Sequence, residues 1–330
     1  MNRIKTAPER VPTWRAALSK TPGPETLHSG FFLWLKGLCM GTADIIPGVS
    51  GGTMALITGI YEQLLAAIKS IDAEVVSCLL RLDFRGAAAK IHLRFLIPLF
   101  LGIATAVVSL ARLLNHLLVH HPVEIWSLFF GLISASIVIV GRRVRCWGWM
   151  TAFCFAAGLL VGYLIVGLIP LTTPETSWFV FFSGFIAICA MILPGISGAF
   201  ILLILGKYEY ITGALKNPFL PENAMVIIVF VFGCVAGLVI FSRFLTLLFQ
   251  RFPSATLAGL AGLMTGSIQK IWPWKRVVET VQVHGRSVVV ESKNVLPAEL
   301  DAAVWAAVGL VAAGFAVVLM IERISRHPQG

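Results

Sequence analysis

The chain has 330 residues, 58% of them hydrophobic and 13% charged, with a formal charge of +10. That composition, with a mean hydropathy of +0.88, excludes a water-soluble domain and indicates a polytopic membrane protein. The basic excess does not signal nucleic acid, because the lysines and arginines flank hydrophobic stretches, where they set orientation and meet anionic lipid head groups.

Residues 1–30 carry Arg3, Lys5, Arg10, Arg15 and Lys20 among prolines and polar residues, with no apolar core of the signal-peptide type. They read as a basic, poorly ordered, uncleaved cytoplasmic arm. A hairpin at 31–68 leads into a charged connector, 69–94, with room for a short surface helix, and then into spans at 95–118, 124–141 and 148–169. A connector at 171–177, free of Lys and Arg, precedes a second hairpin at 178–211 and spans at 224–249, 255–271 and 303–321. Between the last two spans, VETVQVHGRSVVVES places two β-prone runs around His284 and Gly285 and reads as a small exterior β-hairpin, either a cap over a site or a decorated loop.

The two hairpins are copies. GLCMGTADIIPGVSGGTMALITGIYE at 37–62 returns, shifted by 147 positions, as GFIAICAMILPGISGAFILLILGKYE at 184–209. Each is an apolar arm, a Pro-Gly-x-Ser-Gly break and a second apolar arm. An arm of about 15 residues is roughly 22 Å long, too short for a ~30 Å hydrocarbon core. The break then lies at membrane depth, where irregular backbone persists only if buried in protein or lining a watery cavity. With a shift of 131, Gly102 meets Gly233, Arg112 meets Arg243, and GLISASI at 131 meets GLMTGSI at 262.

The expected fold is therefore an all-α polytopic membrane protein built as an inverted repeat, one re-entrant helical hairpin plus three transmembrane helices per half, with repeats at 31–177 and 178–330. Three spans is an odd number, which inverts the second half. Charge agrees: with both termini inside, cytoplasmic segments hold 16 Lys or Arg and exterior segments seven.

Ser50 and Ser197 stand where a new helical arm begins and suit N-capping, while Gly51, Gly52 and Gly198 let a ligand approach the backbone. Amides at such a terminus attract a phosphate or carboxylate, although plain capping accounts for the same serines. Arg112 and Arg243 lie off-centre within spans. A charge there costs roughly 2.5 to 3.5 kcal/mol on insertion scales, so phosphate binding competes with snorkelling as the explanation. Asp44, three residues before Pro47, is a candidate for proton or sodium coupling or a carboxylate bonded to the broken backbone. Glu62 and Glu209, each after a tyrosine, are second-tier candidates and suit interface anchors; Lys36 suits snorkelling. Six cysteines without CxxC or histidine spacing give no reason to expect a metal or disulfide, and no cofactor is expected.

With these residues in view, the chain resembles the polyprenyl-phosphate translocase family, on KGLCMGTADIIPGVSGGTMALITGIYE, ILPGISGAFILLILGKYE and GLMTGSIQKIWPW, over residues 31–325. The resemblance implies translocation of undecaprenyl phosphate between leaflets of the bacterial cytoplasmic membrane, outer to inner, for carrier-lipid recycling in cell-wall synthesis. An undecaprenyl-pyrophosphate phosphatase is the enzymatic alternative, but it needs a nucleophile with a base, or a metal, and none of the seven histidines lies in either break. A transporter of a small water-soluble anion would share every site feature.

Overall fold

The computed structural model describes residues 13–19, 21–45, 50–168, 173–283, 286–297 and 299–326. The first half comprises α1 (Trp14–Ser19), α2 (Leu27–Ile45), α3 (Gly51–Ile57), α4 (Tyr61–Lys69), α5 (Ala73–Leu80), α6 (Phe84–Ala88), α7 (Leu93–His120), α8 (Pro122–Arg143) and α9 (Trp149–Val166). The second comprises α10 (Ser177–Ile192), α11 (Gly198–Ile204), α12 (Tyr208–Lys216), α13 (Pro221–Arg251), α14 (Pro253–Ser267), a 3-10 turn (Ile268–Ile271), the antiparallel strands β1 (Lys275–Val283) and β2 (Arg286–Asn294), and α15 (Ala302–Arg326). His284 and Gly285, expected at the turn of the β-hairpin, lie outside the described residues, as do residues 1–12 of the basic arm.

The chain is a multi-pass membrane protein: α7, α8, α9, α13 and α15 are each long and apolar enough to cross a bilayer, and the bent pair α11–α12 brings the number of candidate spans to six. The expected span at 255–271 is built differently, as the 15-residue α14 continued by the 3-10 turn. Helix starts follow local chemistry. Thr26 and Ser29 exchange side chain to backbone hydrogen bonds at 3.1 Å across the start of α2. Proline opens α8, α13 and α14, at the position where its missing N–H leaves no bond unmade. Part of the arm expected to be poorly ordered is helical, and the Arg85 guanidinium lies 5.8 Å from the Trp14 ring. The connector 69–94 holds two short helices rather than one, the second capped by Asp83, which accepts from Gly86 N–H at 2.9 Å.

Each hairpin's second arm is broken, where the sequence suggested about 15 continuous residues. A seven-residue helix ends at a glycine with positive φ, Gly59 at 74° or Gly206 at 60°, and a nine-residue helix leaves in a new direction. Only glycine enters that backbone region without strain, so the matched glycines set the bend, which reaches 109° between α11 and α12.

Four helix pairs meet at glycine notches. Gly37 of α2 abuts the Leu99 carbonyl of α7 and Gly102 abuts that of Trp34; Gly184 of α10 abuts Phe230 of α13 and Gly233 abuts Phe181. Gly262 of α14 abuts Phe155 of α9 and Gly158 abuts Gly259; Gly131 of α8 abuts Val311 of α15 and Gly314 abuts Leu128. A methyl group at any of these positions would overlap the facing carbonyl oxygen. Because Gly41 meets Ile103 just as Gly37 meets Leu99, α2 and α7 run in the same direction, and the intervening chain returns to the end from which α2 departed. One apolar core, including Met40, Leu56, Tyr61, Leu99, Ile139 and Met264, joins both halves.

Candidate functional site

The two hairpin breaks meet inside the bundle. Residues 46–49, with Pro47 and Gly48 of the first break, lie outside the described residues, but the flanks are defined. Ser50, 1% exposed, directs its hydroxyl at the carbonyls of Met191 (3.2 Å) and Leu193 (3.1 Å) and accepts from Gly52 N–H at 3.2 Å. Thr53 Oγ1 accepts from Gly195 N–H at 3.0 Å. Gly52 lies so close to the Ile192 carbonyl that a Cβ would sit 2.6 Å from it. The carbonyls that end α10 are thus satisfied by side chains of the first hairpin.

Asp44 supplies a carboxyl group at the first break. Its Oδ1 accepts from Gly51 N–H at 2.7 Å, and Gly51 has no Cβ because the carboxylate occupies that space. The first two amides of α3 are therefore engaged internally, one by Asp44 and one by Ser50. Around the second break the arrangement differs. Ser197, 8% exposed, makes no capping bond, and Gly198 is pressed against the Ala187 carbonyl. The position matching Asp44 is Met191, which brings no carboxylate to the second break.

Arg112 on α7 and Arg243 on α13 both project outward, and neither makes a hydrogen bond or ion pair with a described residue. Each stands eight residues before the end of its helix, at His120 and Arg251 respectively (120 − 112 and 251 − 243). The structure does not join either to the hairpin breaks by a direct contact. Glu62 and Glu209 are exposed in the first turns of α4 and α12, where a carboxylate complements the helix dipole.

Other residues complete the hairpins without having stood out in the sequence. Arg143, read there only as a topology charge, donates at 3.0 Å to the Leu56 carbonyl and closes the end of α3. At the end of α11, Thr173 Oγ1 donates to the Leu205 carbonyl, and the buried Lys207 ammonium donates at 2.8 Å to the Thr173 carbonyl. Lys207 lies 5.5 Å from the rings of both Phe179 and Tyr210. Beside α2, Phe31, Trp34, Pro98 and Leu101, with Glu25 and Arg94, line an open groove of about 680 Å³.

Residues 40–289 match the family described as VCA0040-like, undecaprenyl phosphate translocase-like. A polyprenyl-phosphate transporter of Vibrio cholerae serotype O1 is 42% identical over 297 residues, covering 88% of this chain and 95% of that protein. A polyprenyl-phosphate transporter of Staphylococcus aureus is 33% identical over 262 residues, covering 73% of this chain and 87% of that protein. No solved structure matches. The family match spans most of the chain, both hairpin breaks included, so the chain belongs to the undecaprenyl phosphate translocase-like family.

Proposed function

We propose that this protein carries a polyprenyl phosphate, undecaprenyl phosphate in the bacterial cytoplasmic membrane, from the outer to the inner leaflet for reuse in cell-wall synthesis. The observation that carries the reading is the interlock of two broken hairpins, Ser50 and Thr53 of one bonded to Met191, Leu193 and Gly195 of the other, in a chain whose relatives are named polyprenyl-phosphate transporters. A phosphate head group needs polar shelter across the hydrocarbon while its tail stays in lipid, and irregular backbone between helices supplies such shelter.

The two halves form an inverted repeat with both termini cytoplasmic. Supporting this, the notch of α2 on α7 maps onto that of α10 on α13 residue for residue, Gly37 to Gly184 and Gly102 to Gly233. The α8–α15 notch maps in the same way onto α14–α9, Gly131 to Gly262. Arg112 and Arg243, on opposite sides of the midplane under that symmetry, receive the head group in each leaflet, and Ser50, Gly51, Gly52, Ser197 and Gly198 line its passage. Asp44 couples movement to protons. Ionised, it holds Gly51 N–H and repels phosphate; protonated, it keeps an acceptor for that amide, no longer repels phosphate, and its hydroxyl becomes a donor to it.

The test is purified protein in liposomes carrying short-chain polyprenyl phosphate in one leaflet. Exchange faster than in protein-free liposomes is expected; exchange at the protein-free rate overturns the reading.

A further inference from the structure

At the β-hairpin end of the bundle, two lysines lie half-buried among aromatic rings. Lys270, in the 3-10 turn after α14, places its ammonium 4.2 Å from the centre of the Phe200 ring on α11. Lys275, the first residue of β1, places its ammonium 4.9 Å from the Trp126 ring on α8 and donates to the Lys270 carbonyl. Neither is paired with a carboxylate among the described residues. Ring faces attract a cation but leave its charge uncompensated.

The surroundings add positive charge. Arg276 and Lys293 face each other in the strand register, both exposed, although like charges directly opposite are unfavourable. The hairpin's acidic residues, Glu279 and Glu291, are register partners of each other, three residues further along β1 than Arg276. One turn before Lys270, Ser267 lies against the second break, where a Cβ on Gly195 would be 2.8 Å from the Ser267 hydroxyl. Lys270 thus stands one turn beyond the serine that touches the second break, whose short helix lacks a side-chain cap, and Lys275 is tied to the Lys270 carbonyl.

We infer that Lys270 and Lys275 form a receiving site for a phosphate monoester at the hairpin end of the bundle, from which the head group passes along Ser267 to the second break. This rests on the translocation reading and adds a residue-level entry point to it. A phosphate dianion compensates both ammonium groups at once, and the flanking rings suit the first isoprene unit of a lipid.

The test measures binding of geranylgeranyl phosphate to the purified full-length protein in detergent, with geranylgeraniol as the uncharged control and inorganic phosphate as competitor. Glutamine keeps most of each lysine's stem and removes its charge. Lys270→Gln/Lys275→Gln should weaken the lipid phosphate roughly tenfold or more, the loss expected for charge-assisted bonds, without altering alcohol binding. Lys270→Arg/Lys275→Arg should bind nearly as wild type, which a purely structural role for the ammonium groups would not require. Inorganic phosphate should compete only weakly, as a head group without its tail; competition as strong as the lipid's overturns the lipid assignment. Unchanged lipid binding by the glutamine pair, with wild-type leaflet exchange intact, overturns the lysine site and leaves the function standing. Lysine-dependent binding without any exchange by wild type overturns the function and leaves the site.

Discussion

Tyr61, fully buried at the exit of the first hairpin, donates a 3.0 Å hydrogen bond to the carbonyl of Ile192 at the end of the second hairpin's entry helix. Its repeat mate Tyr208 is 41% exposed. The same contrast holds one level up. Helix α4 packs across the halves on α13, with the Tyr61 ring 5.7 Å from Phe249, whereas α12 packs within its own half on α13. Tyr61 fastens the first half to the second, and its repeat mate Tyr208 makes no such bond among the described residues.

Tyr61→Phe should therefore cost about 1–3 kcal/mol by leaving a buried carbonyl unpaired, read as lowered thermal stability of the detergent-solubilised protein. Tyr208→Phe, at an exposed position, should stay within about 0.5 kcal/mol of wild type. Equal losses from both would remove the contrast between the two tyrosines.

The glycine notches give a packing prediction with an internal control. Gly131→Ala and Gly262→Ala, repeat mates, should each destabilise by about 1–3 kcal/mol, because the new methyl overlaps a facing backbone carbonyl that cannot turn aside. Gly309→Ala on α15 has open space and should be tolerated or slightly stabilising through helix propensity. Melting temperatures of the three variants decide the matter.

Asp44→Asn keeps an acceptor for Gly51 N–H and loses the charge. It should still bind polyprenyl phosphate but no longer respond to an imposed pH gradient in proteoliposomes. Asp44→Ala removes the acceptor as well and should also lower thermal stability. An Asn variant that follows the gradient like wild type would take coupling away from this residue.

Burial, and then the charge of Lys270, push the Lys275 ammonium down to about 8 from its usual value near 10.5. An anion site needs the charged form, which exists below that value. Affinity for the lipid phosphate should accordingly fall as pH rises through about 8, with the midpoint displaced upward once phosphate is bound. Lys275→Arg stays charged and should flatten the profile, as binding curves between neutral and alkaline pH would reveal.

Much of this arrangement is legible in the sequence because it is carried by repeated special residues. The shifts of 147 and 131 that align Gly37 with Gly184 and Gly131 with Gly262 also pick out the helix contacts, since close approach admits no other residue. The β-hairpin was readable from its β-prone runs. The bend after each short arm was signalled by Gly59 and Gly206 but hidden by the apolar run on both sides, because hydropathy reports burial and not direction. Thr53 and Arg143 act through contacts across 142 and 87 positions of chain, which no local pattern encodes. Lys270 and Lys275 had a signal, two lysines bracketing tryptophans in KIWPWK, but a charge count treats them as ordinary loop cations.

The proposed inverted-repeat translocation requires the two unlike halves to exchange conformations. Spin labels at Ala66 on α4 and Gln250 on α13 report the α4–α13 contact; their repeat mates, Gly213 on α12 and Val119 on α7, report its counterpart. In liposomes carrying short-chain polyprenyl phosphate, the first pair should lengthen in the same population in which the second pair shortens. Both distances staying fixed, or changing in the same direction, while lipid exchange proceeds would contradict a transporter that works by trading the conformations of its two halves.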